Sequence, residues 1–344
     1  MSRVVKVGVI GYGYWGPNLV RNFNSLSNAE LIAVADRSDD QLDRVRNAYP
    51  NITTVNDYRE FFEMGIEAVA IATPPSSHHA IGIDCLQHGI STMIEKPMTL
   101  DSATSEDLIK VAKENNATLM VGHTFEYNTA IRMLKDIIDS GEIGDVLYID
   151  AVRVNMAGFQ ARANAMWDLA PHDISTLLYL LGEEPESVMV QGVDSITKGL
   201  VDLAYMSLRF PSGVHGHIQV SWLSPRKVRQ LTVVGTEKMI VFDDVEPVEK
   251  IKIYDKNVKS VAPYTETLQE FHWSYQHGDV RIPRINFKEP LRLETQEFID
   301  SVISGEAPYT DGENGLRVVK VLEAGQESLD NDSQLIKIKQ STFA

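Results

Sequence analysis

The stretch Gly11-Tyr12-Gly13-Tyr14-Trp15-Gly16 decides the fold, because of what precedes and follows it. Residues 4–10 before it are apolar and mostly β-branched, which predicts a buried strand. Residues 19–26 after it place apolar side chains at helical spacing. A G-x-G-x-x-G pattern between a strand and a helix is the fingerprint of a dinucleotide-binding domain. The alternative, a glycine-rich turn that only packs a helix on a sheet, would not require an acid farther along the chain.

That acid is present, because a second apolar run, residues 31–35, ends in Asp36, about 20 residues after Gly16. An aspartate here accepts hydrogen bonds from the adenosine ribose and repels a 2′-phosphate, which favours NAD over NADP. Arg37 can accommodate that phosphate, so NADP stays possible. We therefore predict cofactor contacts from Gly11, Tyr12, Gly13, Tyr14, Trp15, Gly16, Asp36 and Arg37.

Strands and helices keep alternating up to about residue 122, which predicts a parallel sheet with right-handed crossovers. Thr73-Pro74-Pro75 follows the strand at residues 68–72, Glu95-Lys96-Pro97 follows that at 91–94, and Gly122-His123 follows that at 118–121. Ligands of such sheets bind outside the carboxyl ends of the strands. We therefore expect these ends to share one edge with the glycine loop. Thr73, Pro74, Pro75 and His78 join the predicted cofactor contacts, although His78 and His79 are also typical of a helix start on the surface.

The second half has a different pattern, with six consecutive strand-like runs between residues 146 and 243, separated by turn signals. This predicts an open, mainly antiparallel sheet with flanking helices. The fold class is α/β plus α+β. We predict a Rossmann domain over residues 1–122 and an α+β domain for substrate binding and oligomerisation over 123–344. One sheet face needs a cover, and a partner subunit would supply it, as a homodimer or homotetramer.

Asp168 and His172 stand out in this half, because they lie four residues apart on one face of a predicted helix. Pro171 fits only the first turn of a helix, which predicts that this helix begins near Asp168. The purely structural alternative is that Asp168 caps the helix and His172 is its i+4 partner.

Composition excludes several classes of function. The 344 residues carry a net charge of −16, which argues against a broad nucleic-acid surface. Cys85 is the only cysteine, which fits a reducing cytoplasm, and we see no signal sequence or membrane span. The nine histidines are scattered, so we predict no metal site.

Residues 250–287 have no clear hydrophobic period and are interpreted as an extended segment or loop.

The glycine fingerprint, Glu95-Lys96-Pro97 and Asp168 with His172, in this order, resemble the glucose–fructose oxidoreductase/inositol dehydrogenase/rhizopine-catabolism (Gfo/Idh/MocA) family. The resemblance covers essentially the whole chain. It implies NAD or NADP, sugar or cyclitol chemistry, an active-site lysine at Lys96 and a cis peptide bond before Pro97. We also predict cofactor contacts from Glu95, Lys96 and Trp167. Where the family has Asp-x-Gly-x-His, this chain has Ala170-Pro171 between the acid and the histidine.

Finer stretches, such as residues 122–128, 167–173 and 310–315, resemble a branch similar to UDP-N-acetylglucosamine 3-dehydrogenases of surface-polysaccharide synthesis. In the reaction that this implies, a hydride leaves a sugar carbon, C3 in that branch. His172 takes the hydroxyl proton, Lys96 stabilises charge on the oxygen, and Asp168 orients His172 or binds a neighbouring hydroxyl. The formal base, Lys96 or His172, stays open. Predicted substrate contacts are Lys96, His123, Tyr127, Asn128, Arg153, Arg162, Asp168 and His172.

Two other readings remain. The first is an enzyme with the same parts but another substrate: a cyclitol or free-sugar dehydrogenase, or a keto-sugar reductase. The second is a non-catalytic dinucleotide-binding regulator. Retention of Lys96, Asp168 and His172 together argues against the regulator, because a sensor needs only the fingerprint and Asp36.

Overall fold

The computed structural model describes residues 3–156, 163–261 and 272–339. The chain forms two compact units, and both are discontinuous in sequence. The first unit comprises Met1–Asn128 and Lys288–Glu323; the second comprises Thr129–Phe287 and Ala324–Ala344. The predicted boundary at residue 122 thus lies close to the end of the first segment. The return of the chain to the first unit was not predicted.

The first unit is a doubly wound sheet. Its strands are β1 (Val5–Ile10), β2 (Ala29–Ala35), β3 (Thr53–Val55), β4 (Ala68–Ile71), β5 (Ser91–Glu95) and β6 (Leu119–Gly122). Its first helices are α1 (Gly16–Phe23), α2 (Asp39–Ala48), α3 (His78–Gln87) and α4 (Ser102–Glu114). The order β3-β2-β1-β4-β5-β6 with parallel neighbours confirms the predicted sheet. The crevice of such a sheet lies where the order reverses, between β1 and β4.

Two helices from the end of the chain complete the first unit. They are α7 (Pro290–Ser304) and α8 (Gly312–Asp330), of which the residues up to Glu323 belong to this unit. Phe298 and Ile299 of α7 pack in the core on one side of the sheet, and Leu316 and Val319 of α8 pack in the core on the other. Without these two helices, the apolar surface on each side of the sheet would be exposed to water, and this explains why the chain returns to the first unit.

The second unit is built on a nine-stranded, mostly antiparallel sheet, as predicted. Its strands are β7 (Val146–Val154), β8 (Ser187–Val193), β9 (Leu203–Arg209), β10 (His215–Ser221), β11 (Val228–Gly235), β12 (Met239–Asp243), β13 (Ile251–Val261), β14 (His272–Arg281) and β15 (Ile336–Lys337). Its helices are α5 (Thr129–Asp139) and α6 (Ala165–Leu181). The pairing of β7 with β10 is parallel, which is an exception to the predicted pattern. Residues 250–287, which were interpreted as an extended segment or loop, contain the antiparallel pair β13 and β14.

Helix α6 begins earlier than predicted. Asn164 caps it, because its Oδ1 accepts a hydrogen bond of 3.0 Å from the backbone N–H of Trp167. Asp168, the cap in the purely structural alternative, lies within the first turn, and Pro171 lies inside the helix. The prediction failed because the proline was taken as the mark of a first turn. The helix packs against the sheet over Gly216 of β10, where a Cβ would lie 2.7 Å from Leu177 Cδ2.

The strands of the second sheet alternate between buried and exposed side chains. In β10, for example, Gly216 and Ile218 are buried, whereas His215 and His217 are exposed. This alternation is the signature of a sheet with one packed and one open face. Among the helices in the described ranges, none has the length and apolar character needed to cross a membrane.

Candidate active site

The loop between β1 and α1 requires glycine at two positions. A Cβ on Gly16 would lie 2.2 Å from the carbonyl oxygen of Gly11, and one on Gly11 would lie 2.7 Å from that of Ala72. Gly11 also has a φ of +97°, which side chains rarely adopt. A Cβ on Gly13 would meet nothing within 4 Å, so this backbone faces open space. A pyrophosphate binds at the start of a helix where the backbone turns tightly and the space in front of it is open. The loop therefore fits the pyrophosphate of NAD.

Asp36 ties this loop to the end of β2. Its Oδ2 accepts a hydrogen bond of 2.6 Å from the backbone N–H of Tyr12, and its Oδ1 accepts one of 2.9 Å from that of Ser38. The carboxylate is therefore held by two backbone donors where the ribose role was predicted. Nearby, Tyr14 is 93% exposed, and Arg37 is exposed as well. Their cofactor contacts stay predictions.

The loop after β4 is held from within the first unit. Ser77 Oγ donates to Thr73 Oγ1 at 2.8 Å. The interpretation of His78 as a surface residue was wrong, because its side chain is 0% exposed. Its Nε2 lies 2.8 Å from the carbonyl oxygen of Thr73, and its Nδ1 lies 3.0 Å from that of Pro97. Pro74 of the same loop is exposed and Pro75 is half-buried, and their cofactor contacts stay predictions.

Lys96 follows β5 directly, and its peptide bond to Pro97 is cis, as expected. Its neighbour Glu95 pairs with Gly122 of β6, where a Cβ would lie 3.0 Å from Glu95 Oε2. The glycine thus leaves room for the carboxylate. Burial raises the pKa of Glu95 to about 7, although the charge of Lys96 opposes this shift. A proton can therefore be held beside Lys96 near neutral pH.

His123 follows β6 and is 1% exposed. Neither of its ring nitrogens has a hydrogen-bond partner in the described part of the chain. Burial, with the nearby charges of Lys96 and Arg317, lowers the pKa of His123 to about 3. The ring is thus neutral, with one donor and one acceptor available to a bound molecule. Its role in substrate binding stays a prediction.

Two buried acids were not predicted. Glu294 of α7 accepts a hydrogen bond of 2.8 Å from Thr124 Oγ1, and Glu126 accepts one of 3.3 Å from Asn314 Nδ2. Both acids are 0% exposed. Burial, together with repulsion from Glu95, raises the pKa of Glu294 well above its usual value. A signal existed, because Glu294 lies at helical spacing between the apolar residues Leu291 and Phe298.

Several predicted substrate residues are buried within their own unit. Tyr127 is 0% exposed, with its hydroxyl 3.2 Å from Thr310 Oγ1, and Asn128 is 3% exposed. Arg153 is 5% exposed and forms a two-point ion pair with Asp173. The polar groups of Tyr127 and Arg153 thus contact other side chains of the protein, and the substrate roles of all three residues stay predictions. Arg162 lies outside the described residues.

In the second unit, α6 carries Asp168 and His172, both half-buried. Asp168 Oδ2 accepts a hydrogen bond of 3.0 Å from the indole N–H of Trp222 on the segment after β10. This donor was not predicted. Trp167, a predicted cofactor contact, donates from Nε1 to Gln326 Oε1 at 3.2 Å. No group of histidine, cysteine and acidic side chains within the described ranges could hold a metal ion.

Two family models match this chain. The model for the oxidoreductase family with an NAD-binding Rossmann fold (GFO_IDH_MocA) matches residues 5–123. The C-terminal domain model of the same family matches residues 131–241. The chain belongs to the Gfo/Idh/MocA oxidoreductase family. The Rossmann domain of this family binds NAD, and the glycine loop of this chain fits such a dinucleotide.

Known relatives in the family span nearly the whole chain. Myo-inositol 2-dehydrogenase of Thermotoga maritima is 26% identical over 98% of this chain and 99% of its own length. UDP-N-acetylglucosamine 3-dehydrogenase of Acidithiobacillus ferrooxidans is 25% identical over 92% of this chain and 94% of its own. The crystal structure of GenD2 from gentamicin A biosynthesis, in complex with NAD, has a TM-score of 0.82 at 19% identity. It covers 99% of this chain and 98% of its own, and shows that the fold is shared.

Proposed function

We propose that this oxidoreductase is an NAD(P)-dependent dehydrogenase that oxidises a hydroxyl carbon of a sugar, with NAD preferred. The substrate that we favour is a UDP-linked N-acetylated amino sugar such as UDP-N-acetylglucosamine, oxidised at C3 for surface-polysaccharide or lipopolysaccharide synthesis. The observation that carries the proposal is the place of Lys96, directly after β5 on the strand edge that also bears the glycine loop. The relative from Acidithiobacillus ferrooxidans supports the choice of substrate.

In the proposed reaction, NAD supplies the acceptor for the hydride. His172 takes the proton of the substrate hydroxyl, because imidazole can hold and release a proton near neutral pH. Lys96 hydrogen-bonds the same oxygen and stabilises the negative charge that develops on it. Asp168 orients His172 or binds a neighbouring hydroxyl. The Trp222 indole that donates to Asp168 supports such a role, since it restricts the carboxylate.

A cyclitol is the second candidate substrate. Inositol dehydrogenases from Thermotoga maritima, Mycolicibacterium vanbaalenii and Bacillus subtilis match this chain about as well as the nucleotide-sugar enzyme does. A keto-sugar reductase would use the same groups in the reverse direction. A non-catalytic regulator would need the fingerprint and Asp36 but not Lys96, Asp168 and His172.

The test is reduction of NAD, and separately of NADP, followed by absorbance with purified protein. The panel comprises UDP-N-acetylglucosamine, its uronate, free inositols and glucose. We expect turnover with UDP-N-acetylglucosamine and a higher kcat/KM with NAD. Turnover only with inositols would move the assignment to the cyclitol enzymes. Tight NAD binding without turnover on any compound would support the regulator.

Variants of the two proposed reacting groups complete this test. Lys96→Ala and His172→Asn are each expected to lower kcat by about 10²–10⁴-fold, the usual contribution of such groups. Lys110→Ala is the matched control, because this α4 lysine has a 70% exposed side chain. A His172→Asn enzyme with near-normal kcat would remove the proposed role of His172. A loss of substrate affinity alone in Lys96→Ala would make Lys96 a binding residue.

We also propose that the second sheet mediates a homodimer or homotetramer. The open face of this sheet carries Tyr148 and Tyr205, which are 46% and 38% exposed. A second copy of the chain would cover such a face with an equivalent surface. Light scattering coupled to gel filtration measures the mass, and Tyr205→Glu should shift it toward the monomer. A wild-type monomer at micromolar concentration would contradict the proposal.

A further inference from the structure

His78 lies between two loops that carry predicted functional residues. It is the first residue of α3, and its ring is fully buried. Its two nitrogens lie 2.8 Å from the carbonyl oxygen of Thr73 and 3.0 Å from that of Pro97. Both nitrogens therefore face the backbone of the first unit. This geometry leaves no ring nitrogen for a direct hydrogen bond to the cofactor.

The two carbonyls belong to segments that must be placed correctly for the proposed reaction. Thr73 follows β4 and packs beside the glycine loop, because a Cβ on Gly11 would lie 3.1 Å from Thr73 Cγ2. Pro97 follows Lys96 directly. The imidazole of His78 thus joins the backbone next to the dinucleotide loop to the backbone that carries the reacting amine.

Imidazole suits this place because its two nitrogens point in different directions. A neutral ring has one N–H and can donate to one of the two carbonyls, whereas an imidazolium can donate to both. Burial lowers the pKa of His78, and the carbonyl contacts oppose this shift. Buried carbonyl oxygens normally have a donor, so removal of the ring leaves at least one of them without its partner.

We propose that His78 is a positioning residue that fixes the backbone at Lys96-Pro97 relative to the Thr73 loop. It thereby sets where the Lys96 amine meets the substrate oxygen. The inference rests on the proposed role of Lys96. It replaces direct cofactor contact by His78 with an indirect role in the hydride-transfer step.

Four variants test the proposal. His78→Ala removes both contacts, His78→Asn can replace the Nδ1 contact, and His78→Gln can replace the Nε2 contact. His79→Ala is the control, because this neighbouring histidine is partly exposed and pairs with Asp107 at 2.9 Å. A misplacement of about 1 Å can cost about 10²-fold in rate, so we expect His78→Ala to lower kcat by roughly 30- to 100-fold. KM and the Kd for NAD should stay within about threefold.

Rescue separates positioning from mere stability. We expect one of the two amide variants to recover kcat to within about fivefold of wild type, because it keeps one donor to a buried carbonyl. A His78→Ala enzyme with wild-type kcat would overturn the proposal. So would a loss confined to NAD affinity, which would restore a cofactor contact. If His78→Ala does not fold, the two amide variants decide, provided that both unfold at the wild-type temperature. Unequal losses of kcat in the two variants support positioning. Equal losses of kcat contradict it.

A second readout works without any substrate. The rate at which the Lys96 amine is reductively methylated can be measured by mass spectrometry, with the exposed Lys110 as internal reference. We expect His78→Ala to change the relative rate at Lys96 by about threefold or more, since amine reactivity follows its surroundings. The rescuing amide variant should restore it. An unchanged rate contradicts positioning, whereas wild-type protein inactive on the whole panel contradicts only the proposed substrate chemistry.

Discussion

In the second unit, the buried guanidinium of Arg153 donates to both oxygens of Asp173, at 2.7 and 2.9 Å. In the first unit, the equally buried Glu294 accepts from the Thr124 hydroxyl through Oε2. Its Oε1 has no hydrogen-bond donor among the residues described. The first arrangement keeps two charges and neutralises them by pairing. The second raises a pKa, so that the folded protein holds a proton instead.

The comparison teaches that burial alone does not indicate what an ionisable side chain contributes. A paired buried charge is costly to break, because the remaining partner stays charged and loses its counter-ion. A buried acid that takes up a proton is costly only at a pH where the unfolded chain would release it. The two units should therefore respond differently to substitution and to pH.

The largest expected effect comes from breaking the pair in the second unit. Arg153→Met should lower the free energy of unfolding by about 3–5 kcal/mol, because Asp173 is left buried and charged. Urea unfolding followed by tryptophan fluorescence measures this. The control is the double variant Arg153→Met with Asp173→Leu, which should recover most of the loss. A double variant as unstable as the single one would show that packing of the arginine, not charge, matters.

Glu294→Gln should show the other behaviour. Because the pKa of Glu294 is raised in the folded state, wild-type stability falls as pH rises above the unfolded value of about 4.5. The variant should match wild type near pH 4 and exceed it at pH 8. The gain is about 1.4 kcal/mol for each pH unit over which only the folded state keeps the proton.

Glu289→Gln is the control for this pH dependence, because hydrogen bonding to Arg21 lowers the pKa of Glu289. Its removal should cost stability at neutral pH, and this cost should vanish in acid below the folded pKa of Glu289. Urea midpoints at several pH values measure both slopes. Equal slopes for Glu294→Gln and wild type would mean that Glu294 is charged when buried.

Helix caps give a smaller effect that separates stability from function. Asn164 caps α6 through Trp167 N–H, and Asp101 caps α4 through Thr104 N–H at 2.8 Å. Substitution of either by alanine should cost about 1 kcal/mol. Only Asn164→Ala should also lower kcat, because α6 carries the proposed reacting groups. Equal effects on kcat would contradict the special role of α6.

The smallest effect is expected from an exposed ion pair. Lys259 lies 2.9 Å from Glu237 in the second unit, and both side chains are about half exposed. Lys259→Ala should change the free energy of unfolding by less than about 0.5 kcal/mol, and salt should weaken even that. A loss comparable with that of Arg153→Met would contradict the distinction between buried and exposed pairs.

The fold of the first unit could be predicted because its signals are local. The strand runs, the glycine loop and Asp36 lie within about 35 residues, and each reports its own backbone. The edge shared by the strand ends then follows from parallel pairing. By contrast, the contribution of α7 and α8 depends on apolar faces that meet strands hundreds of residues earlier, and periodicity does not name their partners.

The sequence allowed us to predict which residues belong to the candidate site better than which contacts they make. Lys96 and Asp36 follow from motif positions at strand ends. The buried ring of His78 and the pairing of Arg153 with Asp173 could not be predicted, because both depend on how loops and strands meet in space. The start of α6 was predicted too late because Pro171 was interpreted as a first-turn residue, whereas Asn164, a good N-cap residue, begins the helix.

The split first unit has a consequence for how the protein is made. Roughly 160 residues separate Asn128 from Lys288, so a ribosome adding 5–20 residues per second needs about 8–32 s to span them. During that interval the emerging chain has a nearly complete nucleotide sheet but lacks both C-terminal helices. The apolar surfaces that Phe298 and Leu316 later cover are then exposed, and a chaperone can bind them. The first unit, although it is begun first, is therefore complete only after Glu323 has been synthesised.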